Sequence, residues 1–308
     1  MTSPTVLVTG SSSGLGRATV EALARRGYTV FASMRAVFGR NAGVAAELME
    51  LARNERLAIE VIELDVTDAV SIERAVQTII TRTGQIDVVV NNAGYGLAGI
   101  SEAASIEQLQ RLFDVNVWGV QRVNQAVLPH MRRQNSGLLV YISSTASRSV
   151  LPALGAYSAS KAALDALARG YAHDLCETGI DSTIIQAGGF ATEFGQHVEK
   201  CSDTAVWNEY GGIGEFASAF VNGFSAGLAE GVANDPRELG DLIGDLIASP
   251  QGTRPLNISL GMGAQGIPAV NAALEQNEET TLCMFGLDRF VRNNRPAVTE
   301  SHQNTIAA

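Results

Sequence analysis

The chain has 308 residues and a formal net charge of −10, and 46% of its residues are hydrophobic while 18% are charged. This balance is typical of a globular protein with a hydrophobic core, and it excludes a chain that is disordered throughout. The negative charge disfavours nucleic acid or an anionic membrane as the main partner. Three cysteines are too few for a disulfide framework, and no apolar stretch reaches the length of a membrane span. We therefore expect a cytoplasmic protein.

Apolar, β-branched runs alternate with segments of helical periodicity along most of the chain. The predicted strands are Thr5–Thr9, Tyr28–Ser33, Ala58–Leu64, Ile86–Asn91, Leu138–Ser143, Asp181–Gln186 and Pro255–Leu260. The predicted helical segments are Leu15–Arg26, Gly43–Arg53, Val70–Arg82, Ile106–Gln134 (two stretches), Ala156–Glu177 and Pro236–Ala248. This alternation indicates right-handed βαβ units and a mostly parallel sheet in an α/β fold.

The segment that follows the last predicted strand differs in composition from the rest. It is polar, and its helical signal at Glu279–Val291 is isolated. We therefore predict one catalytic domain over residues 1–261, with a helical substrate lid at about 193–235. Residues 262–308 are expected to form a C-terminal extension that is partly helical and has a flexible end.

A glycine-rich turn, Gly10-Ser11-Ser12-Ser13-Gly14-Leu15-Gly16, joins the first strand to the first helix. Glycines at this place permit a tight turn and allow the backbone to approach a pyrophosphate at the helix N-terminus. The turn alone is also compatible with an ordinary loop at the start of a helix.

Residues 1–40 contain five arginines and one acid, Glu21, inside a chain that is acidic as a whole. Arg25 and Arg26 are expected on a solvated helix end. Arg35 follows the second strand, where an NAD-specific site has an acid for the ribose 2′-hydroxyl. A guanidinium can bind a 2′-phosphate instead, so the sequence favours NADP(H) over NAD(H). The alternative is a solvated loop arginine.

Tyr157 and Lys161 lie four residues apart on a predicted helix and therefore share one face. A nearby ammonium favours the phenolate, which would bring the pKa of a tyrosine toward neutrality. Ser144 ends the fifth strand, at the sheet edge where α/β proteins bind ligands. Taken singly, a Tyr–Lys pair is commonly a surface contact, and a serine after a strand is commonly a helix cap.

Together these motifs resemble the short-chain dehydrogenase/reductase superfamily. The matching segments are Thr9–Gly16, Asn91-Asn92-Ala93-Gly94, Asp114-Val115-Asn116, Ser144 and Tyr157-Ser158-Ala159-Ser160-Lys161. The resemblance covers about residues 4–192 and implies a Rossmann-type, doubly wound parallel sheet that transfers hydride between NAD(P) and an alcohol or carbonyl. The segments FASMR and NAGYGLAG resemble the group that holds 17β-hydroxysteroid dehydrogenase type 1 and retinol dehydrogenases, whose members often use NADP(H).

The resemblance also implies roles for individual residues. Tyr157 would be the general acid/base, Lys161 would bind the ribose and lower the tyrosine pKa, Ser144 would orient the substrate, and Asn116 would hold a water that relays protons to Lys161. Ser144 is preferred to Ser143 because it precedes Tyr157 by the usual thirteen residues. The cofactor would contact Gly10, Ser12, Ser13, Gly14, Leu15, Gly16, Arg35, Asp65, Val66, Asn92, Ala93, Gly94, Tyr157, Lys161, Gly188 and Thr192.

The sequence departs from the family pattern at Ala187, where a proline is usual, and we expect a more mobile start of the substrate loop. The resemblance further implies a homodimer or homotetramer. No histidine shows metal-ligand spacing, so no metal is expected.

Six aromatic residues fall between positions 193 and 224: Phe194, Trp207, Tyr210, Phe216, Phe220 and Phe224. The last three recur every fourth residue, so they either pack on the core or form an apolar lid over a hydrophobic substrate. The sequence thus predicts an NADP(H)-dependent oxidoreductase that interconverts a secondary alcohol and a ketone or aldehyde, on a steroid-, retinoid- or aromatic-like substrate. The alternatives are the same chemistry with NAD, a non-catalytic NADP(H)-sensing protein, and an interaction protein that works through the tail after Gly261.

Overall fold

The computed structural model describes residues 3–227 and 233–290. Its centre is a seven-stranded parallel sheet with the strand order β3-β2-β1-β4-β6-β7-β9. The strands are β1 Thr5–Thr9, β2 Thr29–Met34, β3 Ile59–Glu63, β4 Val88–Asn91, β5 Leu97–Ala98, β6 Gly137–Ser144, β7 Ile180–Ala187, β8 Glu199–Lys200 and β9 Asn257–Leu260. All seven predicted strands are present, each within two residues of its expected ends.

Helices cover both faces of this sheet. They are α1 Gly14–Arg25, α2 Ala42–Glu55, α3 Ala69–Thr83, α4 Ile106–Phe113, α5 Gly119–Gln134, α6 Gly155–Asp174, α7 Thr204–Glu209, α8 Gly212–Gly227, α9 Arg237–Ala248 and α10 Ile267–Met284. Alternate residues of one strand enter opposite cores: Leu7 packs with α3, α5 and α6, while Val6 and Val8 pack with α1, α2 and α9. The predicted α/β class, with a Rossmann-type doubly wound sheet, is confirmed.

The strand order reverses between β1 and β4. In open α/β sheets, ligands bind outside the carboxyl ends of the strands at such a point. Thr9, Asn91 and Ser144 end β1, β4 and β6 at this edge. The topology therefore brings the glycine turn, the Asn91–Gly94 segment and the serine to one place.

The predicted helical span Ile106–Gln134 is interrupted by a π-helical turn at Asp114–Trp118, between α4 and α5. Two short strands were also not predicted. They are β5 and β8, of two residues each, which pair with each other and join the loop after β4 to the loop after β7.

The C-terminal helix was predicted at Glu279–Val291, and this prediction was wrong at both ends. Helix α10 begins twelve residues earlier, at Ile267, and ends at Met284; residues from 291 onward lie outside the described part of the chain. Only Ile267 and Asn271 are buried on this helix. Because it is attached to the domain mainly through polar side chains, its sequence shows little apolar periodicity.

No helix in residues 3–227 and 233–290 has the length and apolar character needed to cross a membrane. The same residues contain no group of three or more histidine, cysteine or acidic side chains that could hold a metal ion. Cys176, Cys201 and Cys283 are all free thiols.

Candidate active site

A cavity of about 1110 Å³ opens at the carboxyl edge of the sheet. All sixteen residues predicted to contact the cofactor line it, and so does Ser144. Its volume is slightly above the range of about 300–1,000 Å³ for small-molecule sites, which suits a dinucleotide together with a substrate. Residues as far apart in the sequence as Gly10 and Thr192 therefore line one cavity.

The glycine turn is fixed tightly against β4. Gly10 has φ +68°, and a Cβ at Gly16 would collide with the Gly10 carbonyl oxygen and the Asn92 amide. Thr9 Oγ1 accepts hydrogen bonds from the backbone N–H groups of Asn92 (3.0 Å) and Ala93 (3.1 Å). Among the described residues, no side chain caps the N-terminus of α1, and this end of the helix lines the cavity. Such an N-terminus fits a pyrophosphate.

The five arginines of residues 1–40 divide into two groups. Arg17, Arg25 and Arg26 form ion pairs on the surface with acids of α1, α2 and α9: Glu21, Glu47, Glu55, Asp241 and Asp245. Arg35 and Arg40 are exposed and line the cavity, and neither forms an ion pair with any residue that the structure describes. Arg40 was not singled out by the sequence, although its place after the second strand and the basic excess there pointed to it.

Helix α6 presents Tyr157 and Lys161 to the cavity, one turn apart. Both side chains are buried; Lys161 Nζ lies 5.9 Å from the centre of the Tyr157 ring and donates a hydrogen bond to the Ile142 carbonyl at 2.9 Å. Ser144 ends β6, and its Oγ accepts a hydrogen bond from the Ala146 N–H at 3.1 Å. Three of the four predicted catalytic side chains thus line the same part of the site, which is called the catalytic wall here.

Burial changes the pKa values of the two ionisable side chains here, Tyr157 and Lys161. It raises the pKa of Tyr157 to about 12, while polar contact with the Ser144 hydroxyl acts in the opposite direction. It lowers the pKa of Lys161 to about 8, against the effect of the Asp165 carboxylate. We expected the lysine to bring the tyrosine pKa down, but the pKa of Tyr157 is raised, with desolvation as the largest cause, and Lys161 is not among the groups that shift it.

Asn116 is fully buried in the π-helical turn and does not line the cavity itself. Its Oδ1 accepts from the Tyr95 N–H at 3.1 Å, and its Nδ2 donates to the Tyr95 carbonyl (3.0 Å) and to Ser160 Oγ (3.1 Å). A Cβ placed on Gly94 would be 3.1 Å from Asn116 Oδ1 and 3.5 Å from Lys161 Nζ. The asparagine therefore lies directly behind the wall, close to the lysine.

The floor of the cavity comes from the end of β7 and the loop after it. Ala187 pairs with Ser144 and Leu260 in the sheet, so its neighbouring strands hold it on both sides. Gly188 donates its N–H to the Leu260 carbonyl at 2.8 Å. Thr192 reaches across to the glycine turn, where a Cβ on Gly14 would be 3.5 Å from Thr192 Cβ. The mobility expected from the missing proline stays a prediction.

Five apolar side chains that line the cavity are called the apolar chamber here: Leu151, Leu154, Phe190, Phe194 and Met262. Arg111, His197 and Glu199 line the same cavity. The Phe194 ring lies 5.9 Å from the Tyr157 ring.

Two of the three phenylalanines of the predicted stripe can be placed. Phe216 and Phe220 stack on each other on α8 at 5.9 Å, and Phe220 packs against the Trp207 cluster. Neither lines the cavity, and the Phe224 side chain falls outside the described part of the structure.

Comparison with known proteins identifies the family. The profile of the short chain dehydrogenase family matches residues 4–202. The chain is a short-chain dehydrogenase/reductase. As a member of this family it is an oxidoreductase that acts on alcohol or carbonyl groups with a nicotinamide cofactor.

Individual relatives agree with this assignment. This short-chain dehydrogenase is 38% identical over 192 residues to an uncharacterised oxidoreductase of Schizosaccharomyces pombe, and the match covers 62% of each chain. It is 32% identical over 257 residues to rat estradiol 17-beta-dehydrogenase 1, which covers 82% of this chain and 72% of the rat protein.

Solved structures give the same result. A short-chain dehydrogenase from Streptomyces avermitilis superimposes with a TM-score of 0.73 at 30% identity, covering 92% of this chain and 98% of its own. An alcohol dehydrogenase from Thermococcus sibiricus, complexed with 5-hydroxy-NADP, has a TM-score of 0.67 at 25% identity and covers 85% of this chain and 98% of its own.

Proposed function

We propose that the protein is an NADP(H)-dependent oxidoreductase that interconverts a secondary alcohol and a ketone, or the corresponding aldehyde chemistry, on an apolar substrate. The observation that carries this proposal is the convergence of Ser144, Tyr157 and Lys161 on the cavity that also contains the glycine turn and Arg35. A protein that only binds the nucleotide does not need all three polar side chains beside an apolar chamber.

The predicted catalytic residues have distinct roles in this proposal. NADPH, when bound, supplies the hydride for the carbonyl carbon. The Tyr157 hydroxyl donates the proton to the carbonyl oxygen, and in the reverse direction the phenolate accepts it. Ser144 Oγ donates a hydrogen bond to the same oxygen and orients it. Lys161 binds the ribose hydroxyls and favours the phenolate by its charge. Asn116, directly behind Gly94, holds the water that replaces the proton.

The preference for NADP(H) rests on charge. Arg35 and Arg40 are the arginines of the N-terminal forty residues that line the cavity, and a phosphate accepts hydrogen bonds from guanidinium groups. The Thermococcus sibiricus enzyme, which is complexed with an NADP derivative, supports this preference.

The apolar substrate is inferred from the chamber beyond Tyr157. Leu151 is 47% exposed there, and the Phe194 ring lies 5.9 Å from the Tyr157 ring. Contact between this apolar surface and a hydrophobic substrate would remove both from water and so favour binding. A sugar or a small acid would leave the surface exposed to water. In this proposal the lid is the predicted segment 193–235, of which residues 228–232 lie outside the described part of the chain.

Paired titration with NADPH and NADH tests the cofactor proposal, with energy transfer from Trp118 and Trp207 as the signal. We expect NADPH to bind more tightly. Tighter binding of NADH would overturn the preference, and binding of neither would overturn the proposed function. Binding without turnover across a series of apolar ketones and alcohols would favour the non-catalytic sensor.

We further propose that the protein works in the cytoplasm as a homodimer or homotetramer. Three free thiols support a reducing compartment, and the family resemblance implies the assembly. Light scattering after size exclusion measures the mass, and a monomer at micromolar concentration would contradict the assembly.

A further inference from the structure

Four buried polar side chains from four elements form a closed ring behind Ser144. Arg148, at the end of the turn after β6, pairs with Asp165 of α6 at 2.7 Å and donates from Nε to Asn271 Oδ1 of α10 at 3.0 Å. Gln186 of β7 donates to Asp165 at 3.3 Å and accepts from Asn271 Nδ2 at 3.1 Å. Each member touches two others, so the ring is closed.

The ring is deeply buried, which makes its hydrogen bonds costly to lose. The exposed fractions of the Arg148 and Asp165 side chains are 8% and 1%. Asn271 and Gln186 are exposed by 5% and 0% as residues. An unpaired member would pay the desolvation penalty of a buried polar group, so each one holds the others in a single arrangement.

The ring holds the turn that presents Ser144 at two points. Ser144 is the N-cap of the 3₁₀ turn Thr145–Ser147, and Arg148 is its C-cap. Ser147 Oγ lies 2.7 Å from Asp165 Oδ2 and 2.7 Å from the Ser144 carbonyl oxygen. The orientation of the Ser144 hydroxyl therefore depends on where the ring fixes Ser147 and Arg148.

We propose that Arg148, Asp165, Gln186 and Asn271 are positioning residues, through which helix α10 fixes the turn that presents Ser144 to the substrate oxygen. This inference rests on the proposed function for its catalytic consequence. It gives the C-terminal helix a task in the reaction, although the helix lines no part of the cavity.

A second anchor of α10 provides a matched control. Arg169 of α6 forms an ion pair with Glu278 of α10, and the Arg169 side chain is as buried as that of Arg148, at 8% exposed. The described contacts of this pair do not include the turn after β6. Glu278→Gln therefore weakens the attachment of α10 without disturbing the ring.

The experiment compares Asn271→Leu, which keeps the side-chain size and removes both ring bonds, with Glu278→Gln in the full-length protein. Hydrogen exchange of the peptide that spans residues 145–149 is measured first, without substrate. We expect faster exchange in Asn271→Leu and parent-like exchange in Glu278→Gln. We also expect kcat to fall about tenfold in Asn271→Leu only, with the Kd for NADPH within about twofold of the parent.

Equal exchange of residues 145–149 in the two variants would overturn the inference, and so would an unchanged kcat in Asn271→Leu. A parent protein that neither binds NADPH nor turns over would instead contradict the proposed function, and the exchange comparison would still decide whether the ring holds the turn. If Asn271→Leu does not fold, Arg148→Lys keeps the ion pair with Asp165, loses the bond to Asn271, and is judged by the same two measurements.

Discussion

The nucleotide half and the substrate half of the cavity are built in different ways. The nucleotide half consists of strand ends and the glycine turn, where backbone geometry permits few residues: Gly16, for example, has no room for a Cβ. The substrate half consists of side chains such as Leu151, Phe194 and Met262, on segments that follow β6, β7 and β9. Backbone geometry therefore limits which residues can stand in the motifs, whereas it does not limit the side chains that we propose contact the substrate.

Helix α6 joins the two halves. Its Tyr157 contacts the apolar chamber through Phe194, and its Lys161 is held by the Ile142 carbonyl of β6. Both side chains are buried on a regular helix, so their positions do not depend on the variable loops. Variants on each side of this junction test whether the two halves act separately.

The largest effect is expected for Tyr157→Phe, which removes the proton donor and keeps the ring. Turnover should fall about 10³-fold, because a positioned general acid contributes on the order of 10² to 10⁴. The Kd for NADPH, measured by the same energy-transfer titration, should stay within about twofold of the parent. Normal turnover would remove Tyr157 from its role, and loss of NADPH binding would show that the two halves are not separable.

A pH-dependent effect on stability is expected from Lys161. Its pKa is about 8 in the folded protein and 10.5 as a free side chain, so the unfolded chain binds more protons between these values. This group therefore destabilises the folded state below pH 8, and the cost disappears as the pH rises toward 10.5. We expect the free energy of unfolding of the parent, relative to Lys161→Met, to rise by up to about 3 kcal/mol across this window.

Denaturant unfolding of both proteins at pH 7 and pH 10 measures this change. Tyr157, with a pKa of about 12, has the opposite dependence above pH 10, but it is present in both proteins and cancels in the difference. A difference that does not vary with pH would mean that the folded protein keeps Lys161 solvated or paired.

The third effect concerns the cofactor. Arg35→Gln should weaken NADPH binding about 30-fold, because a charge-assisted hydrogen bond is worth about 2 kcal/mol, and it should leave NADH binding unchanged. Arg25→Gln is the matched control, since Arg25 is paired with Glu55 on the surface and should not affect either cofactor. Titrations of the parent, Arg35→Gln and Arg25→Gln with NADPH and with NADH measure these changes in Kd. Equal losses for NADPH and NADH in Arg35→Gln would assign the phosphate contact elsewhere.

The nucleotide half could be predicted from the sequence in detail. Strand alternation fixed the sheet to within two residues at each end, and the glycine spacing located the turn. The π-helical turn around Asn116 could not be predicted, because a single turn of five residues is too short to show an apolar period of its own.

The attachment of helix α10 and the aromatic lining of the substrate half could not be predicted for a related reason. Helix α10 buries Asn271 in place of an apolar residue, and Arg148 meets Asn271 from 123 positions away. Periodicity reports apolar faces, so polar contacts between distant segments leave no local signal. The aromatic stripe on α8 has a clear period, yet the described phenylalanines that line the cavity are the irregularly placed Phe190 and Phe194.

The smallest effect tests this last distinction. Phe194→Ala should lower kcat/KM for apolar ketones about tenfold through lost apolar contact, with NADPH binding unchanged. Phe216→Ala, on the half-exposed α8 stripe, is the matched control and should change neither. A small aliphatic ketone separates contact from positioning, because it does not reach the chamber. Equal losses on small and large ketones would mean that Phe194 acts by holding the Tyr157 ring at 5.9 Å rather than by covering the substrate.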